Sequence, residues 1–447
     1  MENKSEVMDL SRISEDKRIF TTVSYTLMWW SSVIVIQGFA LGQGMLPPIG
    51  SMNIFQAITA MIVASLILAS FFSLNGKAGM KYGIPFAIHA RSAFGYKGSK
   101  IATLLRSVPA IFWFGIGSWI GASAITEVMQ TLFGIGNVMV VFIVFQALQV
   151  FLAAMGMKSI KWFESTMAIV IVLIMTYMMI AITKNFSTEL TANWVAKGSW
   201  GMPFVGAIVM LVGAVFTSAI NNSDLTRYLP NKNKSNWLGH LLGIPISNSF
   251  LIILGIMAGA AVGEWDPVKA LVKISPNTAS AIILLIFIAL AQITTNLTMN
   301  LLPAALTLMD FAKKVSWKVS VVIIGALAVA TCPWVIFTSS NFFAFINIYS
   351  AFLGPVLGVM LADFYIIRKQ ELNVDELYST DSKLYGLTGG WNIAAIISVV
   401  IAGIIGIMFS QLSWMVSAPT GFVLYAILNT VFYKKHEEIA AGLLEKK

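Results

Sequence analysis

Hydroxyl and amide side chains gather at one point of an otherwise apolar stretch, where residues 289–300 include Gln292, Thr294, Thr295, Asn296, Thr298 and Asn300. Adjacent hydroxyls such as those of Thr294 and Thr295 offer two neutral oxygens to a small hard cation. Carbonyls from a broken helix nearby would complete a Na⁺ site without a fixed negative charge. Asn296 and Asn300, spaced i and i+4, share a helix face. Each amide both donates and accepts, which suits the lactam edge of a heterocycle. The competing reading is structural, because threonine in membrane helices bonds its own backbone and asparagine joins helices.

Two further clusters have the same neutral, polar character. Residues 33–44 combine Gln37 and Gln43 with Gly38, Gly42 and Gly44. Glycine costs about 1 kcal/mol in a helix interior relative to alanine, so this cluster predicts a break or a close backbone approach. Residues 213–224 carry Gly213, Thr217, Ser218, Asn221 and Asn222 where a lipid-facing helix would carry leucine. Small-residue helix packing is the alternative there. Between residues 112 and 119, Phe112, Trp113, Phe114 and Trp119 are interleaved with Gly115 and Gly117. An indole stacks well on a flat ring, and the glycines clear space beside it, although such a stripe also serves plain packing.

Catalytic chemistry has little to work with. The chain contains no HExxH, GxxxxGK[ST] or GxSxG, and its histidines are only 89, 240 and 436. The carboxylates Glu127, Glu164, Asp224, Asp310 and Asp363 all fall near the ends of predicted helices. A proton relay would want a titratable group deeper in the membrane. What remains at mid-depth suits an uncharged or weakly charged solute, not an ion pore or an acidic substrate. A lone cysteine, Cys332, excludes an internal disulfide and a cysteine-rich metal site.

The elements that must position these groups are membrane helices. Of the 447 residues 57% are hydrophobic and 11% charged, against roughly 25% charged in a soluble domain. A span needs about 20 apolar residues. Charge-free runs cover residues 19–76, 107–126, 128–157, 165–183, 198–223, 235–263, 274–309, 319–362 and 384–433. The first and the last two runs are double length, dividing at Pro47-Pro48-Ile49-Gly50, near residues 333–341 and near 411–417, and the total is twelve spans. With the N-terminus cytoplasmic, all 29 basic residues except Lys184, Lys197, Lys269 and Lys273 fall on the inside, as the positive-inside rule requires. The net charge of +9 is thus loop charge facing anionic lipid, and no nucleic-acid partner is needed. Residues 1–18 are too charged for a signal peptide. Residues 83–95, bounded by glycines, predict a short interfacial helix on the cytoplasmic side, with His89 as a surface or packing residue.

Several of these segments occur in one family. Residues 76–86, reading Gly-Lys-Ala-Gly-Met-Lys-Tyr-Gly-Ile-Pro-Phe, Ala90-Arg91-Ser92-Ala93-Phe94-Gly95, Trp113-Phe114-Gly115, Asp224-Leu225-Thr226-Arg227-Tyr228 and Tyr349-Ser350-Ala351-Phe352-Leu353-Gly354-Pro355 together resemble the nucleobase:cation symporter-1 family of cytosine, purine, uracil, allantoin and hydantoin permeases. The resemblance runs from about Ile34 to Tyr433. It implies an all-α integral membrane protein with the LeuT-type five-plus-five inverted repeat and two appended helices. One transporter domain then spans 19–433, with repeats at about 19–183 and 198–366, helices eleven and twelve at about 391–433, and cytoplasmic tails 1–18 and 434–447. It also implies a Na⁺ site formed by carbonyls of Val33, Ile36 and Ala291 with the hydroxyls of Thr294 and Thr295. Trp113 would stack on the substrate, Asn300 would bond its amide edge, with Asn296 on the same face, and Gln37 would line the pocket.

Two positions depart from the family pattern. Hydantoin-type members have glutamine where this chain has Gly117, and the family often has a second aromatic ring where it has Val215, with Phe216 adjacent. Either the stacking partner has shifted by one residue or the pocket is one-sided. The expectation is import of a small heterocycle with Na⁺ by alternating access in the cell membrane, both termini inside, with no cofactor and no obligate protein partner. Proton coupling is the rival for the driving ion. A non-transporting receptor and a membrane enzyme are the other classes.

Overall fold

The computed structural model describes residues 10–32, 36–155, 173–312 and 314–444, for residues 31–32 and 434–444 the backbone alone. These residues are helical and irregular, and an isolated bridge between Thr388 and Trp391 is their only β pairing. The helices are α1 (Thr22–Ser32), α2 (Gln37–Gln43), α3 (Ile54–Tyr82), α4 (Phe86–Phe133), α5 (Val138–Ala154) and α6 (173–185). They continue with α7 (Met202–Ile220), α8 (Asn233–Val262), α9 (Thr278–Phe311), α10 (Trp317–Ala330), α11 (Ser339–Ile367), α12 (Ile393–Met408) and α13 (Ser413–Leu444). Seven are long and apolar enough to cross a membrane, and α5, α10 and α12 are shorter apolar helices. The α1–α2 pair and α6 stand at the first and fifth predicted spans.

Local sequence accounts for most boundaries. Asn53 and Asn277 form capping boxes with Gln56 and Ser280 at the starts of α3 and α9. The predicted split at Pro47-Pro48 falls between α2 and α3, and the later double runs divide at residues 331–338 and 409–412. The third and fourth spans differ from expectation. The interfacial helix and the third span run together as α4, interrupted only at Gly95, whose φ of 79° and closeness to the Gly390 carbonyl exclude a side chain. The start of the run predicted as span four is the end of α4, which stops at Gly134 in the left-handed conformation.

α1 ends at Ser32 and α2 begins at Gln37, and residues 33–35 lie outside the described part. The glycines of α2 make a close crossing: a β-carbon on Gly42 would meet the Ile252 carbonyl of α8, and one on Gly255 would meet the Phe39 carbonyl. Gly38-xxx-Gly42 on α2 thus faces Gly255-xxx-Gly259 on α8, the small-residue packing that brings membrane helices within backbone contact. The sixth span is interrupted late, after Ile220, where Asn221 and Asn222 lead into a four-residue turn, Ser223–Thr226.

α9 holds a feature absent from the sequence expectations, a π-helical turn over Asn296–Leu301. Pro303 explains it: the imino acid cannot donate to the carbonyl four residues back and clashes with it, so the turn widens. That carbonyl, on Met299, accepts instead from Arg106 Nη2 of α4 at 3.3 Å.

His89 is a packing residue, buried with Nδ1 3.0 Å from Ser223 Oγ. Asp224 Oδ1 caps α4 by accepting from Phe86 N at 2.8 Å, and Asp363 accepts from Tyr425 Oη at 2.8 Å. These two carboxylates near helix ends therefore do structural work. Glu164 lies outside the described residues.

Candidate functional site

One cavity is walled by α1, α2, α4, α7, α8 and α9 and contains about 690 Å³ of empty space including its mouth. Trp113 of α4 forms one wall, and Gln37 with Gly38 and Leu41 of α2 forms another. α7 contributes Ala214, Val215, Thr217 and Ser218, and α9 contributes Thr295, Met299 and Asn300. Trp29 of α1 and Asn248 of α8 complete it. The described lining carries no charged group.

Behind the lining lies a network of buried amides. Asn296 is fully buried, and its Nδ2 lies 3.3 Å from the Phe114 carbonyl, 3.3 Å from Ser118 Oγ and 3.1 Å from Gln149 Oε1. The Phe114 carbonyl only accepts, so it fixes which end of Asn296 is the NH₂ group. Asn296 Oδ1 must then accept, and Asn300 Nδ2 donates to it at 3.1 Å. Asn300 is thereby turned so that its carbonyl oxygen and one N–H remain for the cavity. Gln37 Nε2 donates to Gln292 Oε1 at 3.1 Å, and Gln37 Oε1 has no partner among the described residues.

Gly117 explains how the network fits. A β-carbon there would collide with Asn296 Oδ1 and Gln292 Oε1. The glycine therefore makes room for amides from α9, and neither Gly117 nor Asn296 lines the cavity. Of the neighbouring pair on α7, Val215 reaches the cavity, whereas Phe216 is buried against Phe71 and Trp414. The aromatic partner has not shifted by one residue, and α7 contributes no aromatic ring to the cavity lining. Trp113 itself is held edge-on by Phe342, Phe345 and Tyr349 of α11, with centroids 5.6, 5.7 and 6.4 Å away. Such a cage sets the plane of an indole without covering its whole face.

The residues expected to bind a cation are distributed around the α2–α9 contact. Ile36, immediately before α2, and Ala291 of α9 line a second, apolar cavity together. Thr294 Oγ1 donates to the Ala291 carbonyl at 2.8 Å, and Thr295 borders the larger cavity. Val33 lies outside the described residues. Among the described residues no group of three or more His, Cys, Asp or Glu side chains could hold a metal.

Sequence reasoning missed Trp29 and Asn248. Every other lining residue falls inside one of the runs singled out for polar or aromatic character. Asn248 did carry a signal, an amide midway along an apolar span, and Trp29 carried one only as half of the Trp29-Trp30 pair.

Residues 12–429 match the protein family described as permease for cytosine/purines, uracil, thiamine and allantoin. The allantoin permease of Bacillus subtilis (strain 168) is 28% identical, over 96% of this chain and 94% of that protein. The hydantoin permease of Microbacterium maritypicum is 28% identical, over 85% of this chain and 80% of its own length. Among solved structures, Mhp1, a nucleobase-cation-symport-1 family transporter in a closed conformation with bromovinylhydantoin bound, superposes with a TM-score of 0.83 at 24% identity and covers 95% of each chain. That likeness gives the fold, the LeuT-type five-plus-five helix arrangement with two appended helices.

Proposed function

This chain belongs to the cytosine/purine, uracil, thiamine and allantoin permease family, and from that membership we propose that it imports one small neutral heterocycle with Na⁺ by alternating access. It is a multi-pass membrane transporter and not an enzyme. The observation that carries the substrate reading is the cavity lining, an indole beside uncharged amides and hydroxyls. A planar lactam satisfies both, stacking on Trp113 while its donor and acceptor meet Asn300 and Gln37. Unpaired amides in such a site reject solutes that lack matching groups, because each buried polar atom left alone costs about 1–3 kcal/mol. The allantoin and hydantoin permeases among the relatives support the same chemical class.

Na⁺ is the proposed coupling ion. Its ligands would be the carbonyls of Val33, Ile36 and Ala291 and the hydroxyls of Thr294 and Thr295, supported by the placing of Ile36 and Ala291 on one cavity and by the 2.8 Å separation of Thr294 Oγ1 from the Ala291 oxygen. Turning the Thr294 hydroxyl proton away would leave two oxygens facing one ion. Because these groups flank the start of α2 and the turn that carries Asn300, the ion would order both sides of the substrate cavity. Transport then follows from rocking of the helix bundle around the joint site. The cell membrane is the proposed location, with both termini cytoplasmic and lipid against exposed apolar faces such as Val140, Val144 and Phe151 of α5.

The test is uptake into proteoliposomes of radiolabelled cytosine, uracil, hypoxanthine, hydantoin and allantoin under an inward Na⁺ gradient. Saturable uptake of at least one of them, dependent on Na⁺, is expected. Uptake driven by a pH gradient and indifferent to Na⁺ would select proton coupling, and saturable binding without uptake would select a receptor.

A further inference from the structure

Asn248 is the one amide of the cavity lining whose NH₂ group has no hydrogen-bond partner among the described residues. It sits midway along α8 and is 7% exposed. The other two lining amides are both engaged, Gln37 with Gln292 and Asn300 with Asn296. A buried amide left unpaired costs about 1–3 kcal/mol, and its neighbours give it no reason to stand there. Leucine would fill the same volume, as Leu251 does on the next turn, where it packs against α2 beside Gly38. A solute of complementary polarity entering the cavity would recover that cost.

α8 and α9 contribute separate walls, so Asn248 and Asn300 approach the cavity from different elements. A primary amide pairs with an adjacent N–H and C=O by donating to one and accepting from the other. We propose that Asn248 is a second substrate-binding amide, which reads a polar edge of the ring distinct from the edge read by Asn300. The inference rests on the heterocycle reading and narrows it: the preferred solute has two edges that each pair a donor with an acceptor, as cyclic imides and ureides do. The small Val215 wall leaves such a ring held by its edges, with stacking on the Trp113 side.

Uptake kinetics of uracil, hydantoin and allantoin, and of their forms methylated on one ring nitrogen, test this in wild type, Asn248→Ala and the isosteric Asn248→Asp. Both variants are expected to raise KM at least tenfold, with the maximal rate within about twofold of wild type and Na⁺-induced thermal stabilisation retained. The methylated form that blocks the second edge is expected to lose as much in wild type and nothing further in Asn248→Ala. Unchanged KM and unchanged discrimination in both variants would overturn the assignment while leaving the transport reading intact. Absence of uptake of every ring by wild type would overturn both. Asn248→Ser, smaller but still polar, separates binding from folding: a fall in melting temperature shared by all three variants, with KM unchanged, contradicts a binding role.

Discussion

Asn300 owes its orientation to atoms that never touch the cavity. The Phe114 carbonyl sets Asn296, Asn296 sets Asn300, and Gly117 provides the space in which the chain of bonds closes. Asn300→Ala is therefore expected to weaken substrate binding by ~1–3 kcal/mol, seen as a rise in KM. Asn296→Ala should have a comparable effect although Asn296 is fully buried, because Asn300 loses the acceptor that turns it. Gly117→Ala should abolish uptake by a different route, driving a methyl group into two amide oxygens. Equal KM for wild type and Asn296→Ala would refute the relay. At this scale the sequence was informative where polar residues clustered within an apolar run, as around Gln37, Thr295 and Asn300, whereas Asn248 was missed. It was silent on direction: residues 117 and 296 look like lining on a helical wheel, and only packing shows that they fill one another's space. Phe216 was misjudged for the same reason, since one residue along a helix turns a side chain by about 100°.

At the scale of elements, glycine and proline set the geometry that side chains then use. The glycine cluster of the first span signalled a break or a close approach, and the described residues show the close approach, a crossing of α2 on α8 through Gly42 and Gly255. Gly42→Val and Gly255→Val meet backbone atoms, which cannot rotate away, so each is expected to cost ~1–3 kcal/mol of overpacking and to lower the melting temperature of detergent-solubilised protein. Gly206→Ala, inside α7 with open space around it, is the control and should not lower that temperature. The π turn was not legible, because Pro303 alone does not say whether a helix will kink, end or widen. Its consequence is testable: Pro303→Ala restores a donor for Met299, releases Arg106 from that carbonyl and rotates Asn300 relative to the helix below it. Uptake should fall while thermal stability holds or rises. A variant as active as wild type would show that the widened turn has no part in positioning Asn300.

For the whole molecule, the account joins ion and ring in one equilibrium. α2 and α9 border both cavities, with Gln37 and Thr295 on the larger and Ile36 and Ala291 on the apolar one, so an ion drawing these helices together would reshape the substrate site. Linkage makes that effect reciprocal, and coupling between sites in proteins typically amounts to about 5- to 150-fold in affinity. Composition made the membrane class plain because a chain this apolar has no other way to hide its surface, and the spacing of charge-free runs followed from bilayer thickness. The proposed ion site is less legible, since backbone carbonyls are common to every residue and only Thr294 and Thr295 would mark it. The most direct test is equilibrium binding of the transported heterocycle to purified protein, by calorimetry, at zero and saturating Na⁺ with ionic strength held by choline. The account predicts affinity higher by fivefold or more with Na⁺ and loss of that difference in the Thr294→Ala/Thr295→Ala double variant, whereas equal affinity with and without Na⁺ in wild type would contradict it.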